Sequence, residues 1–292
     1  MTLCDKIQSG KFVITSEMGP PKGVDLSSMF ANAELVKGRV DAINVTDQQS
    51  SVMKLGALAA CRLLKERGHD VVYQITCRDR NRIALQSDLL SAYALGIENI
   101  LALTGDYPSF GDHPEAKPVF DLDAVQLLGV IKKLEAGFDM MGNPLKGAPK
   151  FCAGAVVNPG ADPIEPEIIK MEKKIAAGAK FFQTQAIYDI GSFKDFLGRI
   201  KHLKAAVLGG VMLLKSAKMA RFVSEHVAGV SVPAHIIDEM EKASDKSARS
   251  VEIAVRIIRE LKPLCQGIHI MPIGLDRVVP RVLDEAGLWR VI

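Results

Sequence analysis

Two acidic residues, Glu17 and Asp106, come directly after short apolar runs of the sequence. Glu17 precedes the stiff stretch Met-Gly-Pro-Pro, and Asp106 follows Gly105, which lets a flat ligand approach the backbone closely. A carboxyl group that burial keeps protonated near neutral pH can act as a general acid. We therefore predict acid catalysis by Glu17, with a salt-bridged glutamate as the alternative. We predict contact with a heterocycle by Asp106, with a turn-forming aspartate as the alternative.

Amide and hydroxyl side chains follow other apolar runs. Gln185 can both donate and accept hydrogen bonds, which matches a heterocycle edge that presents both kinds of group. Gln183 is the rival for this role, because residues two apart on a strand share a face. Three more polar residues stand at such ends: Thr46, Thr76 and Asn158. If the runs are parallel strands of one barrel, all these side chains line one mouth.

Basic residues carry less information. Lys170, Lys173 and Lys174 fall on one amphipathic segment, where a solvated helix face is favoured over phosphate binding. His269 lies inside the last apolar run, which favours a buried residue with its hydrogen bonds satisfied, and His113 lies in a loop expected to cap the mouth. The sequence shows no nucleophile triad, metal-ligand cluster or P-loop.

The apolar runs alternate with amphipathic segments along the chain, which is typical of strand–helix units and a parallel sheet. The expected strands are residues 12–17, 42–46, 71–77, 100–104, 151–157, 181–185, 207–213 and 268–273. The expected helices are residues 52–66, 82–95, 124–134, 167–177 and 216–226. Eight strands close a (β/α)8 TIM barrel. The alternative, an open doubly wound sheet, lacks its G-x-G-x-x-G motif here. We predict one α/β barrel domain over residues 1–292.

Two segments exceed a minimal barrel. Residues 233–264 are predicted to form two extra helices before the last strand. Residues 138–149 form a long connection on the face opposite the expected site, and long loops are often functional. Its apolar residues are Phe138, Met140, Met141 and Leu145. They either form a docking surface for a partner or pack under the barrel floor, and the sequence leaves both open.

Composition excludes several classes of function. The 37 lysines and arginines are interleaved with 34 aspartates and glutamates, so nucleic-acid binding is not indicated. The five cysteines are scattered without a C-x-x-C pair, which argues against a disulfide framework and a metal site and fits a reducing cytoplasm. No apolar run approaches the ~18 residues of a membrane span, and residues 1–11 are too polar for a secretory signal. We therefore expect a cytoplasmic protein.

Several of these segments together resemble the methylenetetrahydrofolate reductase family over essentially the whole chain. The stretch around Glu17 resembles the first strand of the family, residues 42–46 the second, and Gln74-Ile-Thr-Cys the third. The stretch that ends in Gly-Asp106-Tyr-Pro resembles the fourth strand, and Thr-Gln185 with the following Tyr-Asp resembles the sixth. The extra helices before the last strand are also expected from the family. The pattern is similar to the short form found in anaerobes, so no regulatory domain and no feedback by adenosylmethionine are expected.

The resemblance implies reduction of 5,10-methylenetetrahydrofolate to 5-methyltetrahydrofolate by hydride from a reduced flavin, FAD or alternatively FMN. It implies that Glu17 protonates the bridging nitrogen and that Asp106 stabilises the resulting iminium cation, so both are catalytic. The residues that it implies for flavin binding are Thr46, Thr76, Gly105, Asp106, Asn158, Glu167 and Lys174. Those that it implies for folate binding are Glu17, Asp106 and Gln185.

Departures from the family pattern bear on the electron donor. Ala217 stands where bacterial members carry an aromatic residue that stacks on folate or nicotinamide. Met18-Gly19 replaces a Phe-Phe pair, and Asn158 replaces a histidine. We expect NAD(P)H or a partner electron-transfer subunit as donor, in an oligomer or hetero-complex, and poor use of NADH by the isolated chain. The alternatives are a folate-binding methyltransferase barrel without flavin and a non-catalytic scaffold subunit.

Overall fold

Eight parallel strands form a closed barrel in the computed structural model, which describes residues 2–288. The strands follow one another around the barrel in chain order, and the last pairs with the first. They are β1 (Val13–Met18), β2 (Ala42–Val45), β3 (Val71–Thr76), β4 (Asn99–Leu103), β5 (Cys152–Val157), β6 (Phe181–Ala186), β7 (Ala206–Met212) and β8 (Gly267–Met271). The predicted TIM barrel is confirmed.

Helices surround the barrel and connect its strands. Within residues 2–288 they are α1 (Leu3–Gln8), α2 (Ser27–Val36), α3 (Ala57–Glu66), α4 (Arg82–Ala94), α5 (Ala124–Glu135), α6 (Glu165–Ala177), α7 (Ile190–Ile200), α8 (Ala217–His226), α9 (Ala234–Lys242), α10 (Lys246–Leu261) and α11 (Val279–Glu285). The two extra helices before the last strand are confirmed as α9 and α10. Helix α3 begins at Ala57 instead of the predicted residue 52, because the backbone is extended at Val52 and at Gly56, which caps the helix. None of the described helices is long and apolar enough to cross a bilayer.

The first helix covers the floor of the barrel, at the amino ends of the strands. Leu3 of α1 packs against interior residues that include Val72 and Phe181. The ring of Phe181 fills the space beside Gly154, where an added Cβ would lie 2.3 Å from the ring. A closed, filled floor leaves the opposite end, where the strands finish, as the open mouth of the barrel.

A disulfide between Cys4 and Cys152 ties α1 to the start of β5, with the two Cα atoms 5.6 Å apart. The expectation that the scattered cysteines form no disulfide was wrong for this pair. Its partners are 148 residues apart in sequence, and only closure of the barrel brings them together. Disulfides are uncommon in a reducing cytoplasm, so the cytoplasmic location stays a prediction. The other cysteines, Cys61, Cys77 and Cys265, are buried free thiols.

The connection at residues 138–149 has both packed and exposed apolar side chains. Phe138 and Met141 are exposed, whereas Met140 and Leu145 pack against the core. The backbone N–H of Met140 donates to the side-chain carbonyl of Gln86 on α4, at 2.8 Å. The segment is therefore ordered against the barrel with two apolar side chains left outside, and its use as a docking surface stays a prediction.

Candidate active site

Glu17 stands near the end of β1, with most of its side chain buried in the barrel mouth. Its Oε1 accepts a hydrogen bond from Gln74 Nε2 on β3 at 3.4 Å, and its Oε2 accepts one from Gln49 Nε2 at 3.2 Å. His269 Nε2 of β8 lies 3.8 Å from the same Oε1. The carboxyl group is therefore oriented by amide donors from two different segments, with the His269 ring close by on a third.

A chain of buried polar side chains runs below Glu17 across the barrel interior. His269 Nδ1 lies 2.9 Å from Thr15 Oγ1, which also accepts from Gln183 Nε2 at 3.2 Å. Gln183 and Asn44 exchange two amide hydrogen bonds, of 2.8 and 3.2 Å. The prediction of a buried, hydrogen-bonded His269 is confirmed, but its closeness to Glu17 was missed. The closeness follows from the pairing of the first strand with the last, in which Thr15 and His269 are register partners.

Thr76, a predicted cofactor-binding residue at the end of β3, is hydrogen-bonded to a buried ion pair. Asp47 Oδ2 accepts from the backbone N–H and the hydroxyl of Thr76, both at 2.9 Å. The same oxygen lies 2.7 Å from Arg80 Nη1. Burial alone would lower the pKa of the Arg80 guanidinium, and the adjacent Asp47 charge more than reverses this and raises it. The hydroxyl hydrogen of Thr76 is thus committed to Asp47, which leaves its oxygen lone pairs for a ligand.

Thr46, directly after β2, has a buried hydroxyl without a hydrogen-bond partner among residues 2–288. The residue is only 1% exposed. The space beside Gly19 adjoins this hydroxyl, since a Cβ added there would lie 3.5 Å from Thr46 Oγ1 and 3.1 Å from Lys54 Nζ. Buried polar atoms are almost always paired in native proteins. An unpaired hydroxyl beside an ammonium group is therefore suited to a polar ligand.

The turn after β4 carries Gly105 and Asp106. Gly105 has a φ of 96°, and an added Cβ would lie 3.0 Å from the Arg78 Cβ and 3.1 Å from the Thr76 Cβ, so only glycine fits without strain. A cavity of about 280 Å³ adjoins this turn. Its lining residues are Thr104, Gly105, Tyr107, Phe120, Leu122, Asp123 and Gln126. Asp106 itself is exposed at the rim of the mouth.

Asn158, Glu167 and Lys174 form a separate group at the end of β5. Glu167 Oε1 accepts from the Asn158 backbone N–H at 3.1 Å, and Lys174 Nζ donates to the Val156 carbonyl at 2.7 Å. Burial lowers the pKa of Lys174, and the neighbouring Glu167 acts in the opposite direction. The structure brings these three predicted residues together, with contacts to backbone groups. Their role in flavin binding stays a prediction.

The two glutamines of β6 are separated by depth. Gln183 belongs to the buried interior chain, whereas Gln185 is half-buried nearer the mouth. Gln185 is thus the better placed of the two for a ligand. Ala217 begins α8 and is buried. A larger cavity, of about 580 Å³, lies between the loop after β6 and the end of α8.

Comparison with known proteins identifies the family. A sequence profile described as methylenetetrahydrofolate reductase matches residues 2–287. The chain belongs to the methylenetetrahydrofolate reductase family. It is 23% identical to methylenetetrahydrofolate reductase 2 of Schizosaccharomyces pombe, over 98% of this chain and 47% of the yeast protein. It is 24% identical to 5,10-methylenetetrahydrofolate reductase of Salmonella typhimurium, over 77% of this chain and 72% of the bacterial protein.

The chain thus spans about half the length of the yeast member of the methylenetetrahydrofolate reductase family. A solved structure with a similar fold is an uncharacterized protein from Clostridium thermocellum that binds two copies of 5-methyl-5,6,7,8-tetrahydrofolic acid. Its TM-score is 0.67 at 16% identity, and the match covers 98% of this chain and 99% of that one. At this identity the likeness shows a shared fold.

Proposed function

We propose that this chain reduces 5,10-methylenetetrahydrofolate to 5-methyltetrahydrofolate with a bound flavin as the source of hydride. The observation that carries the proposal is the setting of Glu17, a mostly buried carboxyl group at the barrel mouth that touches Gln49 and Gln74 and has His269 beside it. Family membership supports the reaction, and relatives in bacteria and yeast carry the name of this reductase. The Clostridium thermocellum protein of similar fold binds the methylated product.

The residues of the mouth fit a flavin. The Thr46 hydroxyl, which has no hydrogen-bond partner within residues 2–288, needs a polar group, and Gly105 lines a cavity of about 280 Å³. Thr46, Thr76, Gly105 and Asp106 would hold the group from this side. Three residues near the end of β5 would hold the flavin from the other side: Asn158, Glu167 and Lys174. When bound, a reduced flavin supplies hydride; FAD is the first choice and FMN the alternative.

The side chains of this protein supply the proton and the orientation. Glu17 would donate its proton to the bridging nitrogen of the folate, which opens the ring and leaves a cation on the exocyclic carbon. Gln49 and Gln74 keep the carboxyl group aimed at the mouth, and His269 is close enough to return a proton to it after a small shift. Asp106 would stabilise the cation by its charge, and Gln185 would bind the pterin edge.

The electron donor is proposed to be NAD(P)H or a partner electron-transfer subunit. Ala217 offers only a methyl group at the start of α8, where a stacking ring is expected for direct use of nicotinamide. We propose that residues 1–292 act as one barrel domain in the cytoplasm, as part of an oligomer or a hetero-complex. The isolated chain should therefore oxidise NADH slowly.

The cofactor content of the purified protein tests this proposal against its alternatives. The protein is prepared without added cofactor, and its visible spectrum and the mass of any released flavin are measured, followed by titration with 5-methyltetrahydrofolate. We expect close to one flavin per chain and saturable folate binding. A colourless protein that still binds folate would favour methyl transfer, and a protein that binds neither ligand would favour a scaffold.

A further inference from the structure

Two loops of the barrel mouth are packed directly on each other. Gly111, in the loop after β4, touches the loop after β2 so closely that an added Cβ would lie 1.9 Å from the Ser51 carbonyl oxygen. The Ser51 hydroxyl lies 3.0 Å from the carbonyl oxygens of both Asp106 and Tyr107. The loop after β2 carries Gln49, which contacts Glu17, and the loop after β4 carries Asp106. This packing therefore connects the surroundings of the two predicted catalytic acids.

The loop after β2 has an unfavourable backbone. Gln48, Ser50 and Ser51 have φ values of 49°, 54° and 56°, in the left-handed region that residues other than glycine seldom adopt. Such conformations persist only where the surrounding structure enforces them. Gln48 is partly fixed by its own side chain, whose Oε1 accepts from the Lys54 backbone N–H at 2.8 Å. Further contacts must hold the rest of the loop.

Arg78, in the loop after β3, supplies those contacts. Its side chain is buried, and Nη1 lies 3.0 Å from Ser51 Oγ, 3.3 Å from the Gln48 carbonyl and 3.5 Å from the Asp106 carbonyl. The other edge of the guanidinium is fixed by Asp79, through Nε at 2.9 Å and Nη2 at 2.7 Å. A planar group with five donors can satisfy both sides at once, whereas a lysine ammonium cannot reproduce this fork.

We propose that Arg78 is a positioning residue of the active site, acting on Glu17 through Gln49 and on Asp106 through its backbone. It keeps the loop of residues 48–51 in contact with residues 105–111, so that the Gln49 amide reaches Glu17 while Asp106 stays at the rim. This inference rests on the proposed function, because it assigns Arg78 to the same reaction. Its contacts are mainly with the two loops, so its loss should disturb the mouth more than the barrel.

The test uses the full chain with Arg78→Met and Arg78→Lys, and Arg82→Met as the matched control. Arg82 also forms a two-contact pair with an aspartate, Asp121, but on the exposed start of α4. We expect kcat to fall at least tenfold in Arg78→Met and less in Arg78→Lys, with a smaller change in KM for the folate. Backbone amide hydrogen exchange should rise together at residues 48–51 and 105–111 and stay unchanged in the strands. The control should match the wild type in both measurements.

The proposal requires both effects, and finding one of them without the other would overturn it. A kcat within twofold of wild type despite faster exchange would mean that loop order does not matter for the reaction. A lower kcat without faster exchange in both loops would mean that Arg78 acts by another route. A wild-type protein without flavin or turnover would refute the proposed function instead, and exchange in the Arg78 variants would still show whether this residue couples the loops.

Discussion

His269 Nε2 lies 3.8 Å from Glu17 Oε1, and the other ring nitrogen of His269 is hydrogen-bonded to Thr15. Thr15 and Glu17 are two apart on β1, so both face the barrel interior beside the histidine of the neighbouring strand. Because Thr15 fixes the ring, the free nitrogen keeps its direction towards the carboxyl group. This relationship makes the interior of the barrel part of the site.

Replacing His269 should slow the reaction without emptying the site. In His269→Leu, Glu17 loses the group that can restore its proton, so we expect kcat to fall about 10- to 100-fold. Flavin content should remain close to that of the wild type. Steady-state kinetics and the visible spectrum check this, with the exposed His226→Leu as control. A kcat within twofold of wild type would remove His269 from the mechanism.

Asp47 should be important for stability, because it pairs with Arg80 and accepts two hydrogen bonds from Thr76 in a buried setting. Asp47→Ala leaves the guanidinium with Asp88 as its remaining acidic partner. Breaking a buried pair costs about 3–5 kcal/mol in the free energy of unfolding, and the remaining pair should keep the loss near the lower end. Urea denaturation measures this cost. The exposed pair of Arg39 and Asp284 is the comparison, where Asp284→Ala should cost less than about 1 kcal/mol. Equal losses in the two variants would contradict the importance of the buried pair.

Reducing the Cys4–Cys152 disulfide should destabilise the barrel without changing its fold. The bond joins residues 148 apart in sequence, and closing so long a loop reduces the conformational entropy of the unfolded chain. Measured disulfides contribute about 2–4 kcal/mol. The melting temperature should therefore drop by several degrees with dithiothreitol, and Cys4→Ser should show the same drop without reductant. If reductant lowered the melting temperature of Cys4→Ser as far as that of the wild type, the bond could not be the cause.

The free thiols should be unreactive in the folded protein, and their burial should produce an alkaline loss of stability. Burial raises the pKa of the Cys77 thiol from its ordinary value of 9.0 to about 12. A raised pKa in the folded state gives stability that is complete below pH 9 and is lost as the pH rises towards 12. A thiol reagent at pH 8 should label Cys61, Cys77 and Cys265 only after denaturation. Rapid labelling of the native protein would contradict their burial. In Cys77→Ala, the free energy of unfolding should fall less steeply between pH 9 and pH 12 than in the wild type.

The barrel could be predicted because each strand is buried on both faces and stands out as an apolar run between amphipathic helices. Val71–Thr76, for example, is buried at every position. The end of a strand also fixes which residues face the mouth, so Glu17, Thr46 and Gly105 could be chosen from their places in the sequence. The strands and the residues at their ends can be recognised from neighbouring positions in the sequence alone.

Features that depend on the closed barrel could not be predicted in this way. The disulfide, the approach of His269 to Glu17 and the contacts of Arg78 all join residues that are distant in sequence. The left-handed loop that carries Gln49 has no glycine to signal it. It falls between the predicted second strand and the predicted helix from residue 52, and contacts from other loops offset its strain.

The most direct test of the account is a single turnover of the reduced protein with 5,10-methylenetetrahydrofolate, without oxygen or any other electron donor. In the wild type, flavin should be reoxidised with formation of one 5-methyltetrahydrofolate per flavin. Glu17→Gln should keep its flavin and bind folate but react at least about 100-fold more slowly, because general acid catalysis contributes on that order. Wild-type flavin that stays reduced, or an equal rate in Glu17→Gln, would contradict the account.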